Sequence, residues 1–435
     1  MNLPRSRSSC KPQRSTLLFL LAAPVLALAQ IAPQPLHTSG LHPFSIAAQV
    51  RTAHKDLAVC RAYRVADLPG SHKFTSDFLE NIIADPAPRD GDAPTIWALS
   101  ADLDSSVPRQ KRAIYLSKST DGGKTWTLLA RIDSHYYDAK ISEGLRNGLA
   151  VTPGGRDFVI TTQEGAFQLI PQRNPYAPVI RRIPGPLVPR IRPNVTIAKK
   201  TGDPVRAGVV LITADGRHMV VAYGYFDDNP QLFTYHRSDS GAWIEDGTLP
   251  HLPTDLDIFS MQFDHPRSSN PSSLYVGTGD QVYRLDFHTM QWTRVTGVGP
   301  DSAIHAISTV DGLHLAACWG VYTPVNAITV ARVTTAHFLL HRWRDEVGPN
   351  IRAYDIAVDP LRPNHEVLAA ITGVYISRDS GAIWQRLNNL PEGEYHSAYF
   401  NPDGTVIVSG YVGTFLVNPF SNSCAPHLET RSSLR

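Results

Sequence analysis

The sequence predicts an all-β fold: a β-propeller of about seven four-stranded sheets around a ring, with six or eight sheets also compatible with the pattern. Three observations lead there. The composition is turn-rich and charge-poor, with 42% hydrophobic and only 18% charged residues beside 30 glycines and 34 prolines. Short β-like runs are joined by Asp-Gly or Gly-Gly pairs, and these hairpins recur at a nearly constant spacing.

The N-terminus is set aside first. Arg5, Arg7, Lys11 and Arg14 precede an uncharged stretch from Leu17 to Ala29 that ends in Ala-Leu-Ala, the pattern of a secretory signal peptide over residues 1–29. Its removal predicts one exported domain over 30–435, periplasmic or extracellular. The stretch is about half the length needed to cross a bilayer, and no later segment holds 18 uninterrupted apolar residues, so no membrane span is expected. Without the leader, 37 basic residues face 39 acidic ones, which leaves no electrostatic reason to expect a nucleic-acid partner.

Hairpins stand at Gly155, Gly216, Gly312 and Gly404 in "AVTPGGRDFVI", "LITADGRHMVVA", "ISTVDGLHLAA" and "YFNPDGTVIVSG". Each is expected to be a tight type I′ turn with positive φ at both central residues. Longer Pro-containing turns starting at Asp264 and Asp359 fill the double gaps, giving a period of about 47 residues. Only the step from 155 to 216 is too long. It holds a Pro/Arg-rich stretch over 171–193, with seven prolines and five arginines, read as an excursion and not a strand; its arginines could dock an acidic partner. With the earlier unit "TIWALSA", "AIYLSKS", "WTLLARI", seven blades result. The last unit stops after "GTFLV" and lacks a strand, which "VCRAYRVAD" near the N-terminus would supply, closing the ring.

Two octapeptides, Ser119–Trp126 ("STDGGKTW") and Ser377–Trp384 ("SRDSGAIW"), share Ser-x-Asp-x-Gly-x-x-Trp, with a degenerate copy from Ser238 to Trp243 and a looser one around Asp286 and Trp292. These segments resemble the Asp-box, or BNR, repeats of sialidase-like, sortilin-like and photosystem-assembly-factor-like propellers. Physically the box suits a turn: Ser119, Asp121, Ser377 and Asp379 exchange hydrogen bonds with the turn, Gly123 and Gly381 permit positive φ, and Trp126 and Trp384 bury beneath it. The boxes are therefore expected to be structural. "RRIPG" at Arg181 lies after the first box and inside the Pro-rich stretch, and no sialidase arginine is carried over.

The resemblance puts a ligand on the axial face, built by loops leading into the innermost strands. Those loops offer His135, Tyr137, Asp138, Glu143, Arg146, Asp255, Asp257, His305, Arg352, Tyr354, Asp355, Tyr395 and His396. Carboxylates, arginines and aromatics suit a sugar or an acidic ligand. The expected function is a monomeric binding module for a glycan or a protein; the alternative is a glycoside hydrolase using two axial carboxylates.

No cofactor is expected, since "GTGDQV" is followed by no βαβ unit and neither a P-loop nor a Gly-x-Ser-x-Gly elbow occurs. His337 and His341 lack an adjoining third ligand, so no metal is expected. Of the three cysteines left after the leader, Cys318 reads as a buried thiol. Cys60 and Cys424, near the two ends of the ring, are candidates for a bridge worth about 5 kcal/mol over so long a loop.

Overall fold

A computed structural model describes residues 62–65, 68, 79–86, 94–101, 113–133, 148–162, 164–187, 202–224, 230–299, 303–318, 320–333, 338–339 and 352–420. All of them belong to one compact unit, Ala58–Arg435. The signal peptide, Cys60, Cys424, His135, Tyr137, Asp138, Glu143, Arg146, His337 and His341 lie outside the described residues.

The chain forms seven antiparallel blades, preceded by a short strand β1 (Tyr63–Arg64). Blade 1 is β2 (Glu80–Ala84), β3 (Ile96–Ala101), β4 (Ala113–Ser119) and β5 (Thr127–Asp133); blade 2 is β6 (Leu149–Val151), β7 (Phe158–Thr162), β8 (Gly165–Ile170) and β9 (Val179–Arg182). Blade 3 is β10 (Ala207–Ile212), β11 (His218–Tyr223), β12 (Gln231–Arg237) and β13 (Trp243–Thr248); blade 4 is β14 (Ile258–Phe263), β15 (Ser273–Thr278), β16 (Val282–Asp286) and β17 (Gln291–Arg294). Blade 5 is β18 (Ile304–Ser308), β19 (His314–Ala317), β20 (Gly320–Asn326) and β21 (Thr329–Arg332). Blade 6 gains a two-residue strand, β22 (Phe338–Leu339), parallel to its outermost strand and followed by β23 (Ala353–Val358), β24 (Glu366–Ala370), β25 (Gly373–Ser377) and β26 (Trp384–Arg386). Blade 7 is β27 (Tyr395–Phe400), β28 (Val406–Gly410), β29 (Gly413–Val417) and, as fourth strand, β1.

The first strands of successive blades touch one another all the way round, β27 meeting β2, so they form a closed inner ring. Burial follows: β23 is buried throughout, whereas the outermost β9 and β17 are mostly exposed. A single blade would leave both faces wet, and stacking covers them. Hydrogen bonds staple neighbouring blades: Gly148 N donates to Asn81 Oδ1 (2.9 Å), Thr161 Oγ1 to the Gly208 carbonyl (2.8 Å), Ser260 Oγ to the Ile304 carbonyl (2.8 Å) and Leu79 N to Ser409 Oγ (2.6 Å).

The N-terminal strand closes the ring as expected, with Tyr63 opposite Leu416 and Arg64 opposite Phe415. Two expectations are corrected. The 171–193 stretch is not wholly an excursion, because Val179–Arg182 form β9, with Val179 opposite Ile170. An outermost strand needs ladder partners on one side only, so flanking prolines are tolerated there. The hairpins are four-residue turns in which Gly155, Gly216 and Gly404 N–H groups donate to the carbonyls of Thr152, Thr213 and Asn401 at 3.0, 2.8 and 2.9 Å. Asp311 and Gly312, and Gly154 and Gly155, have positive φ at both residues as expected, whereas at 216 and 404 only the glycine does, which removes the I′ requirement on the preceding aspartate.

Cys318 is fully buried and, against the reading as a thiol, disulfide-bonded. Among the described residues no helix is long and apolar enough to cross a membrane.

The two octapeptides join the third and fourth strands of blades 1 and 6. Ser119 Oγ donates to Asp121 Oδ1 (2.8 Å) and accepts from Gly123 N (2.9 Å), and Asp121 Oδ1 accepts from Thr125 N (2.9 Å). Ser377, Asp379, Gly381 and Ile383 repeat this at 2.8, 2.9 and 2.8 Å. Burial works to raise the Asp121 carboxyl, but hydrogen bonds from Thr125 and Ser119 outweigh it and hold it below the ordinary carboxylate range. Such a group is spent on its turn.

Candidate axial site

Six of the seven innermost strands carry a register shift near their first residues. The inserted positions include Asn81, Gly208, Phe259, His305, Tyr354 and His396. A bulge leaves its extra residue out of the ladder and re-aims its side chain. In four consecutive blades the inserted residue is an aromatic ring.

These rings form a file across blades 4 to 7. Phe259 and His305 lie 5.9 Å apart at 42°, His305 and Tyr354 stack at 5.4 Å and 14°, and Tyr354 and His396 stack at 4.3 Å and 9°. The file ends on Tyr411, in the turn between β28 and β29, set edge-on to His396 at 4.8 Å. Tyr411 is 57% exposed, so its ring offers the open surface that the stacked members lack.

Glu394, immediately before β27, runs alongside. Its Oε1 lies 2.9 Å from His396 Nε2, and it accepts from the Tyr354 hydroxyl. Burial works to raise its carboxyl, but His396, Tyr354 and the Arg352 charge outweigh it and keep the group below its ordinary range. Tyr354 is pushed up, first by burial and then by Glu394. His305 is pushed down to about 4 by burial, then by the positive charges of Arg352 and His396. At neutral pH His305 is therefore uncharged, and its Nε2 sits 3.3 Å from Cys318 Sγ.

Of the residues nominated from sequence, His305, Arg352, Tyr354 and His396 come together here. Asp355 lies beside them but faces the next blade, its Oδ2 accepting from Ala398 N at 2.9 Å. Tyr395 is fully buried, 6.2 Å from Phe415, with its hydroxyl donating to the Pro391 carbonyl at 3.1 Å; it belongs to the core between blades. Asp255 is exposed and Asp257 half-buried in the segment before β14. Phe259, Glu394 and Tyr411 were missed. Glu394 lies in the same "EGEYHSA" segment, but simple alternation does not reveal a bulge, and one inserted residue exchanges the two faces of a strand.

No family model matches the chain, and no curated protein does. Among solved structures it is similar to the extracellular domain of a hybrid two-component system of B. thetaiotaomicron, at 11% identity over 82% of this chain and TM-score 0.48. The chain spans 40% of that protein's length. It is also similar to a mitotic checkpoint complex (12% identity, 90% of this chain and 98% of that one, TM-score 0.48). A third likeness is to the β-propeller domain of Myceliophteria thermophila Cps50 (Swd1) (11% identity, 82% and 98%, TM-score 0.49). The protein is a seven-bladed β-propeller by its strand order and ring closure, and these distant likenesses say nothing of its ligand.

Proposed function

We propose that this is an exported ligand-binding propeller of the Asp-box kind, taking a glycan at the bulged end of its ring. The observation carrying this reading is the file of rings that ends on exposed Tyr411, with Glu394 beside it. Tyr411 supplies a platform for a pyranose face, and Glu394 and Arg352 supply an acceptor and a donor for hydroxyls.

Binding is favoured over glycoside hydrolysis by the state of the two described carboxylates nearest the file, Glu394 and Asp355. An acid catalyst must hold its proton near neutral pH, whereas Glu394 is shifted the other way and Asp355 is engaged by a backbone N–H. The test is a glycan array on the mature protein, followed by calorimetry on the strongest hit. Tyr411→Ala and Arg352→Ala are each expected to weaken that binding about tenfold or more. An array with no hits, or affinities unchanged in both variants, overturns the reading; release of reducing sugar would favour the hydrolase.

A further inference from the structure

We propose a second binding site at the opposite mouth of the ring, for a small amphipathic carboxylate: an apolar body carrying one anionic group. It involves none of the residues of the bulged end.

From Phe259 to Phe263 the innermost strand of blade 4 advances roughly 13 Å, so the far ends of these strands form a separate opening. A cavity of about 660 Å³ lies there, and the far ends of all seven innermost strands contribute to its wall. That size is in the range of small-molecule sites. The wall includes Val151, Ile212, Phe263, Val310, Val358 and Tyr399. Turns that begin Asp85-Pro86, Asp359-Pro360 and Asn401-Pro402 place prolines around the rim, adding apolar surface without further N–H donors.

The polar groups decide the sign of the ligand. Asp85 turns both carboxylate oxygens to Gly154 N, at 3.3 and 3.1 Å. Arg267 on the rim is exposed, and no hydrogen bond or ion pair engages its guanidinium among the described residues. Its charge reaches the Tyr399 phenol, which burial nonetheless pushes up to about 12, so the hydroxyl keeps its proton and can donate. The Asp85 carboxylate disfavours an anion beside it, so the partner for an anionic head is Arg267, which has no hydrogen bond or ion pair among the described residues, and Tyr399 adds a phenolic donor beside the apolar hollow.

The test uses the full mature protein with decanoate, decanol and acetate as probes, read by calorimetry, and with thermal unfolding to check each variant. Decanoate is expected to bind, decanol to bind more weakly and acetate not at all. Arg267→Ala should weaken decanoate about tenfold while leaving decanol unchanged, because one charge-assisted contact is lost. Val310→Trp, which fills the hollow, should abolish both. Glycan binding at the other mouth is the control and should survive both substitutions, so failure of one site is distinguishable from failure of the other. Absence of decanoate binding, or binding indifferent to both substitutions, overturns the proposal.

Discussion

At the scale of single residues, His305 carries the clearest electrostatic consequence. It is buried on its bulge between Phe259 and Tyr354, and burial with the Arg352 and His396 charges holds it near 4, below its ordinary 6.5. The unfolded chain therefore binds a proton in the interval from about 6.5 to about 4 that the folded protein refuses, so folding stability falls as pH falls through that window and this residue adds no further loss below it. The size is on the order of 3 kcal/mol. His305→Gln, which cannot titrate, is expected to flatten the dependence of unfolding midpoint on pH between 4 and 6.5; an unchanged slope would remove His305 as its source. Glu394 acts at the acid end of that window and below it. Its carboxyl is held low in the folded state, so its contribution is complete above about 4.5 and is lost as the pH drops through its lowered value. Glu394→Gln should thus lower the midpoint at neutral pH and converge on the parent protein once the pH has fallen below that lowered value.

At the scale of elements, the repeated turn explains what repetition is for. Both boxes use the same serine and aspartate hydrogen bonds, yet they sit against different neighbours. A Cβ on Gly123 would meet Ile407 Cδ1 at 2.5 Å, and one on Gly381 would meet Thr323 Cγ2 at 2.4 Å, each a side chain of the preceding blade around the ring. The glycine is required by positive φ and also by this close approach, and only the first reason was legible in the sequence. The indoles differ: Trp384 is fully buried, while Trp126 is half-buried and donates Nε1–H to the Gly123 carbonyl at 3.0 Å. Trp384→Ala is expected to cost about 3 to 5 kcal/mol in denaturant unfolding and Trp126→Ala distinctly less. Equal costs would mean that burial does not set the worth of these turns. Hairpin glycines and box aspartates could be read from sequence because each depends on a few adjacent residues. Three rings of the file, His305, Tyr354 and His396, could be nominated as loop residues, but their stacking with Phe259 and Tyr411 could not be read, because it depends on one inserted residue in each of four strands, and no motif records a bulge.

At the scale of the whole molecule, the ring depends on its shortest strand. The missing fourth strand after "GTFLV" was visible as a shortfall in the count, whereas β22 in blade 6 had no such signature. Closure rests on two paired residues, a hydrogen bond from Val65 N to the Thr414 carbonyl (2.9 Å), and Val65 itself, fully buried against Leu68, Leu79 and Ala98 at the seam of blades 7 and 1. Little backbone is involved, but it covers the middle of the β29 edge, Thr414 to Leu416, and completes a core that no blade buries alone. Val65→Asp puts an unpaired carboxylate into that seam and is expected to cost about 3 kcal/mol or more. Starting the chain after Val65 removes the covering strand altogether and leaves β29, buried throughout in the closed ring, with an open ladder. The shortened protein should then unfold at a lower temperature and associate through that edge as concentration rises, measurable by light scattering on a sizing column. Were it to keep the parent's association state and midpoint, closure by β1 would be an ornament of the ring and blades 1 and 7 would have to be joined by their inner strands alone.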